Sequence, residues 1–308
     1  MARYLIGRIL QLLLVFVGVT LLIYLAVFTL PGDPIRNLAG HQQLPPSTIS
    51  AIRHYYHLDE PFWAQYGRYI GGVIHGDFGT DFYGDSVLGL MRSRWPVTLE
   101  LASMAWVFEV LLGVGFGVLS ALRRGRFSDH AVLFVSVGLI SVPAFVAAFA
   151  SQLLFGVKLG IFPIAGTNDG WPASYVLPAL VLGAAGAASV TRLTRSSMIQ
   201  SLHADYIRTA MAKGLPWHRI ITRHALRNSL IPLLTFVALD LGYLLSGTVV
   251  VEGVFNLPGI GQLLFTSIQQ QQGPVVVGVA TALVLAFLVL NLIVDVLYGV
   301  LDPRIRVV

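Results

Sequence analysis

Apolar runs long enough to cross a bilayer recur along the whole chain, separated by polar stretches of unequal length. The first, Ile9–Leu30, exceeds the about 20 residues that cover the hydrocarbon core of a membrane. The same pattern predicts spans at Val97–Leu122, Ala131–Phe155, Tyr175–Thr191 with an extension toward Met198, Leu230–Val251 and Val275–Tyr298. With the first run these make six transmembrane helices, so the fold class is an all-α integral membrane protein. Two polar interruptions stand out. Residues 31–96 are polar, aromatic and of mixed charge, which predicts a small extramembrane domain, with Pro45-Pro46-Ser47 opening a short helix that reaches Tyr56. Ser201–Leu233 is a basic, partly polar island.

The island reads as two short helices with a break. Leu202, Tyr206, Ile207, Ala210 and Met211 share one face of the first at helical spacing. Trp217, Ile220, Ile221, His224 and Ala225 share a face of the second, which could dock on another protein. Gly214 stands where a helix end favours the left-handed conformation, and Pro216 suits the first turn of the next helix because no N–H is missed there. Beyond the fifth run, Val250–Gly261 is too rich in Gly and Pro for one helix, which predicts a fold-back and a short re-entrant or surface helix. The chain therefore divides into 1–30, 31–96 and 97–308, the last carrying the segment 201–227.

Composition agrees with the pattern: 56% of residues are hydrophobic and 11% charged, far from a soluble domain. Cysteine is absent, which excludes disulfides and thiolate metal ligation. Arg3 and Arg8 precede an apolar run longer than the about 7–15 residues of a signal peptide, so a retained first helix is expected. The net charge of +5 does not point to nucleic acid, because the positives are confined to particular loops. Arg3 and Arg8; Arg123, Arg124 and Arg126; Arg192 through Arg227; and Arg304 and Arg306 fall in alternate connections. By the positive-inside rule both termini and the 201–227 segment are expected in the cytoplasm, and residues 31–96 outside.

Charge inside the runs is costly, roughly 2.5–3.5 kcal/mol for a carboxylate at the bilayer centre on insertion scales. Glu109 and Asp240 lie near mid-span and are expected to face other helices or a watery cavity, whereas Glu100 and Asp295 are nearer to span ends. Glu109, Gln152 and Asp240 are the candidates for a translocation path, with helix-to-helix bonding as the alternative for each. Pro143, Pro178 and Pro232 are expected to kink their spans, and Gly113, Gly115, Gly117, Gly183 and Gly186 to permit close helix approach. His41, His54, His57 and His75, with Asp59, Glu60, Asp77 and Asp81, lack metal-ligand spacing and read as polar surface, so no metal site is expected. The aromatics Tyr55, Tyr56, Phe62, Trp63, Tyr66 and Tyr69 are expected to pack the extramembrane domain or sit at the membrane interface.

RTAMAKGLPWHRIITRHALRN resembles the coupling segment, or EAA loop, of the membrane subunits of ABC importers, in the version found in dipeptide, oligopeptide and nickel permeases. Ala210, Gly214 and Leu226 match the general pattern. Arg208 and Thr209 stand where Glu and Ala are usual, and His224 and Arg227 replace Ile and Pro. LPGDP at the end of the first run, HLDEPFWAQYGRYIGGVIHGDFGTDF after it, VVEGVFNLPGIG after the fifth and LYGVLDPRIR near the end are similar to the same family. The resemblance implies a bacterial inner-membrane subunit without catalytic residues that imports di- or oligopeptides; nickel, glutathione and haem are alternatives. It implies a second permease, two cytoplasmic ATPases that bind ATP and Mg, an external solute-binding protein, and contact with membrane lipid. No cofactor is expected in this chain, which has no Gly-Lys-Ser/Thr phosphate loop. Arg208, Ala210, Lys213, Gly214, Leu215 and Arg219 are implied as the ATPase contact. Other classes remain open: a proton-coupled secondary transporter using Glu109 and Asp240, a membrane enzyme, or a basic loop held to anionic lipid.

Overall fold

Between Ala2 and Thr29 no proline or acidic residue interrupts the chain, and it forms one helix, α1 (Ala2–Thr29). The computed structural model describes residues 2–29 and 59–301, with positions 45, 47, 50 and 54 between them. The LPGDP stretch, most of the helix expected up to Tyr56, and the last residues of LYGVLDPRIR therefore lie outside the described residues. The other helices are α2 (Phe62–Ile74), α3 (Val87–Arg92), α4 (Trp95–Leu122), α5 (Phe127–Ser141), α6 (Ala144–Lys158), α7 (Ala173–Leu202), α8 (Asp205–Ala212), α9 (Trp217–Phe255), α10 (Ile260–Gln269) and α11 (Gly273–Leu301). Among the described residues there is no strand, only an isolated bridge between Thr80 and Ser86. Five helices are long and apolar enough to cross a membrane, and α5 with α6 makes a sixth candidate as a broken pair.

That pair covers the span expected over Ala131–Phe155, and the kink expected at Pro143 is a full break. The chain bends by 107° between α5 and α6. Pro143 has no N–H to continue α5 and instead precedes the first turn of α6, where none is needed. Pro178 and Pro232, by contrast, sit within continuous helices. The second half of α6, Gln152–Lys158, is π-helical.

The chain forms two units, Met1–Thr98 with Pro258–Val308, and Leu99–Leu257. In the first, α1 packs along α11. Tyr24 of α1 gathers an aromatic cluster, its ring centroid 4.6 Å from Phe28, 5.7 Å from Phe62 and Tyr66, and 5.5 Å from Tyr69. The Tyr69 hydroxyl donates to Thr281 Oγ1 at 2.7 Å, fixing α2 on α11. Burial raises the Tyr69 hydroxyl's pKa above its ordinary value. Trp63 is left exposed, and Tyr55 and Tyr56 lie outside the described residues. Val87 and Met91 of α3, Ile260 and Leu263 of α10, and Val275, Val279 and Ala282 of α11 make the buried core. The Ile260 N–H donates to Thr98 Oγ1 at 2.8 Å, which satisfies an otherwise orphan donor at the start of α10.

Asp295 is not left to water near the end of its span: it is buried and paired with Arg8 Nε of α1. The arginine was legible only as an orientation signal, yet its stem is long enough to reach a neighbouring helix. Removing one partner of a buried pair strands the other charge, about 3–5 kcal/mol when both are fully buried and less here because the Arg8 side chain is 37% exposed. Arg8→Gln is expected to lower the melting temperature in detergent, and Arg8→Gln with Asp295→Asn to recover most of the loss. A double variant no more stable than the single one would show that the pair contributes nothing.

In the second unit α4 and α7 approach backbone to backbone. A Cβ at Gly183 would lie 2.7 Å from the Ala105 carbonyl oxygen, and one at Gly117 would lie 2.7 Å from that of Thr191. Gly113 and Gly186 are equally crowded, against Val190 and the Glu109 carboxyl, whereas Gly115 faces open space. α9 packs on α7, and the Trp106 indole N–H donates to the Val237 carbonyl at 3.0 Å, joining α4 to α9. Val190, Leu233 and Val237 are buried at this junction.

Candidate functional site

The segment after α7 is shaped by its end signals. At the close of α7 the His203 ring donates from Nδ1 to the Ile199 carbonyl at 2.7 Å, occupying a C-terminal acceptor. Ten residues after Leu202, α8 ends as well. The N–H groups of Lys213, Gly214 and Leu215 turn back to the carbonyls of Thr209, Met211 and Ala210. Gly214 has φ +72°, a left-handed conformation that a side chain disfavours. Pro216 then precedes the first turn of α9.

α9 is where the structure departs most from two separate short helices. It runs for 39 residues, Trp217–Phe255, without a break. Nothing in Arg227-Asn228-Ser229 stops a helix, and a π-helical stretch, Ile220–Leu226, carries the basic part into the apolar part. At 1.5 Å per residue such a helix is about 58 Å long, close to twice the hydrocarbon thickness. Its arginine-bearing first turns are thus continuous with the apolar helix that follows.

α8 is seated on this end of α9. Ile207 and Ala210 of α8, Ile220 and Ala225 of α9, Met198 of α7 and Ala121 of α4 form one buried cluster, with Leu215 partly covered beside it. The inward stripe is narrower than the periodicity implied. Tyr206, Met211 and Trp217 are 40%, 48% and 53% exposed, so these three are left uncovered by the chain's own packing. The face of Ile220 and Ala225, a docking face by its spacing, is spent on the chain's own cluster.

Of the residues singled out in the segment, Arg208, Lys213, Gly214 and Arg219 are exposed and Leu215 is half-buried. Ala210 is buried, so it holds α8 from within and presents no side chain to a partner. Arg208 stands 3.7 Å from Asp205, an exposed pair that leaves its charge available. Exposed apolar side chains interspersed along the segment with exposed basic ones suit a protein surface carrying a pocket and acidic groups. Tyr206, Met211 and Trp217 were hidden by their own periodicity; the clue available was that an eight-residue helix cannot bury five apolar positions.

Inside the bundle, Glu109 of α4 and Asp240 of α9 come together. The two are near enough to interact electrostatically. Neither Glu109 oxygen, nor Asp240 Oδ2, meets a hydrogen-bond partner among the described residues. Glu109 also lines a 430 Å³ cavity whose walls are otherwise mainly apolar, including Phe108, Phe116, Val135 and Leu180. Gln152 has a separate duty: its amide donates to the Ile164 carbonyl at 2.7 Å and fastens the connection that follows α6. Among the described residues no three His, Asp or Glu gather to hold a metal; His41 and His57 lie outside them. The His54 ring meets Asp59 at 3.0 Å, and that carboxylate raises its pKa.

Comparison with known proteins adds the family. The model described as the inner membrane component of binding-protein-dependent transport systems matches residues 113–307, and that for the N-terminal part of the membrane component matches residues 1–102. Glutathione transport system permease proteins GsiC of Escherichia coli (strain K12), Salmonella paratyphi A and Shigella dysenteriae serotype 1 are each 39% identical over 307 residues, 99% of this chain and 99% of theirs. A chain of the MetNI methionine ABC transporter, solved in an inward-facing conformation, has the same fold at a TM-score of 0.55 and 17% identity, covering 70% of this chain and 97% of that one. Matched from end to end, the chain belongs to the permease subunits of binding-protein-dependent ABC importers, in the dipeptide, oligopeptide and nickel branch that includes the glutathione permeases.

Proposed function

We propose that this chain is one of two permease subunits, paired as a heterodimer, through which an ATP-driven importer moves short peptides of glutathione size. Two ATPases grip the 201–227 segments from the cytoplasm, and an external binding protein delivers the solute. The observation that carries the coupling role is the exposed trio Tyr206, Met211 and Trp217 among Arg208, Lys213 and Arg219, on a helix pair built around a left-handed glycine. The clustering of Lys and Arg in alternate connections supports cytoplasmic termini and an external 31–96 domain. End-to-end similarity to glutathione permeases supports a peptide substrate. ATP and Mg belong to the ATPase subunits, and this chain contributes the path and the lever. Closure of the ATPases favours one of two bundle arrangements, and the lever conveys that bias.

Reconstitution tests the reading. The chain, purified with its partners in proteoliposomes, is expected to take up labelled glutathione or a dipeptide only with external binding protein and internal ATP. Uptake by the chain alone along a proton gradient would overturn it in favour of a secondary transporter.

A further inference from the structure

Asp129, in the first turn of α5, is buried and has four donors. Oδ1 accepts from Ser120 Oγ of α4 and from Arg195 Nε of α7, the latter at 2.7 Å. Oδ2 accepts from Arg195 Nη2 at 2.9 Å and from the Gly125 N–H of the connecting turn at 2.8 Å. The arginine fork is bidentate, and the donors together fill the carboxylate's four lone-pair sites. Three pieces of chain thus meet on one side chain.

Its neighbours give this junction a place in the mechanism. Ala121, next to Ser120, and Met198, one turn beyond Arg195, belong to the buried cluster on which α8 is seated. Just beside the junction Gly117 of α4 packs against Thr191 and Thr194 of α7 with no room for a side chain between them. A push on α8 therefore arrives at the closely packed α4–α7 pair. α5 makes the shallow side of this arrangement: its outward residues, such as Phe134 and Val137, are exposed, and it ends in the 107° bend. Asp129 is its polar anchor to both helices.

We propose that Asp129 and Arg195 are positioning residues for energy coupling: their ion pair makes the start of α5 move with α4 and α7 when the ATPases displace α8. This rests on the proposed engagement of α8 by the ATPases. A purely structural pair would affect stability alone, so the decisive quantity is solute taken up per ATP hydrolysed in the reconstituted complex. The double variant Asp129→Asn with Arg195→Gln leaves no lone charge buried. It is expected to assemble and to hydrolyse ATP, while uptake per ATP falls about tenfold, within the usual range of coupling between sites. Arg195→Lys, which keeps the charge and loses the fork, is expected to fall about threefold. A double variant that assembles and keeps the wild-type ratio would overturn the proposal. Should it fail to assemble, Arg195→Lys decides on the same ratio: a lowered ratio supports coupling, and a wild-type ratio overturns it. Crosslinking from a cysteine placed at Lys213 to the ATPases separates the two readings. Its absence in otherwise wild-type complex would remove the docking site itself, whereas its presence with a lowered ratio isolates the clamp.

Discussion

Replacing Met211 and Trp217 together by glutamate is expected to abolish recovery of the ATPase subunits with this chain. Both side chains are about half exposed although they are among the most apolar in the segment. Buried aromatic anchors at interfaces contribute about 2–4 kcal/mol each, and forcing a carboxylate into the same desolvated pocket adds a further penalty. The new charges would also cancel the basic field of Arg208, Lys213 and Arg219 around them. Affinity should fall by at least about a hundredfold, which co-purification and binding-protein-stimulated ATP hydrolysis would both register. The fold should survive, because Ile207, Ala210, Ile220 and Ala225, which seat α8, are unchanged. Gln200→Glu, on the exposed side of the α7 end, serves as the control for added charge alone. Undiminished recovery in the double variant would remove the trio from the docking surface.

How this surface escapes a one-dimensional reading follows from what periodicity measures. A 3.6-residue repeat reports which positions share a side, and it is silent on whether that side meets the same chain, a partner or lipid. In a long soluble helix the distinction rarely matters. α8 has only eight residues, and its partner on the same chain is the end of α9, so just Ile207 and Ala210 find cover. The bend at Gly214 and Pro216 was legible because each residue has a steric reason to be there. The continuity of α9 was not, since a π-helical stretch has no residue signature and the basic residues of Trp217–Arg227 conceal a helix that goes on.

Polar residues divide in the same way. The sequence marks Glu109 and Asp240 as costly in a membrane, and the cost itself predicts that each needs company. That the company is mutual depends on the rotation of α4 against α9, which the Trp106 to Val237 bond and the crowded Gly186 help to set. Asp129 and Arg195 are 66 residues apart, each inside an otherwise unremarkable stretch, and only the fold makes them one unit. Gln152 illustrates the converse: a polar side chain in an apolar run stands out in the sequence, but the loop carbonyl of Ile164 to which its amide donates does not.

Gly183→Val is expected to prevent the α4–α7 pair from closing and to destabilise the chain by about 3 kcal/mol, the upper part of the usual range for overpacking. The neighbour of the new Cβ would be a backbone carbonyl, Ala105 O, which cannot swing aside as a side chain can. Nor can the helices part locally, because Gly113 and Gly117 hold α4 against Val190, Thr191 and Thr194 further along the same seam. In lipid no hydrophobic gain pulls helices together, so the dispersion lost when a seam opens is lost outright. Gly115→Val provides the internal comparison: the same substitution on α4 meets nothing within 4 Å. Thermal unfolding in detergent should therefore separate the two variants by many degrees, with Gly115→Val close to the wild type. Equal losses would mean that valine's poorer helix propensity, and not the seam, sets the cost, because propensity acts at both positions while only Gly183 lies against a carbonyl.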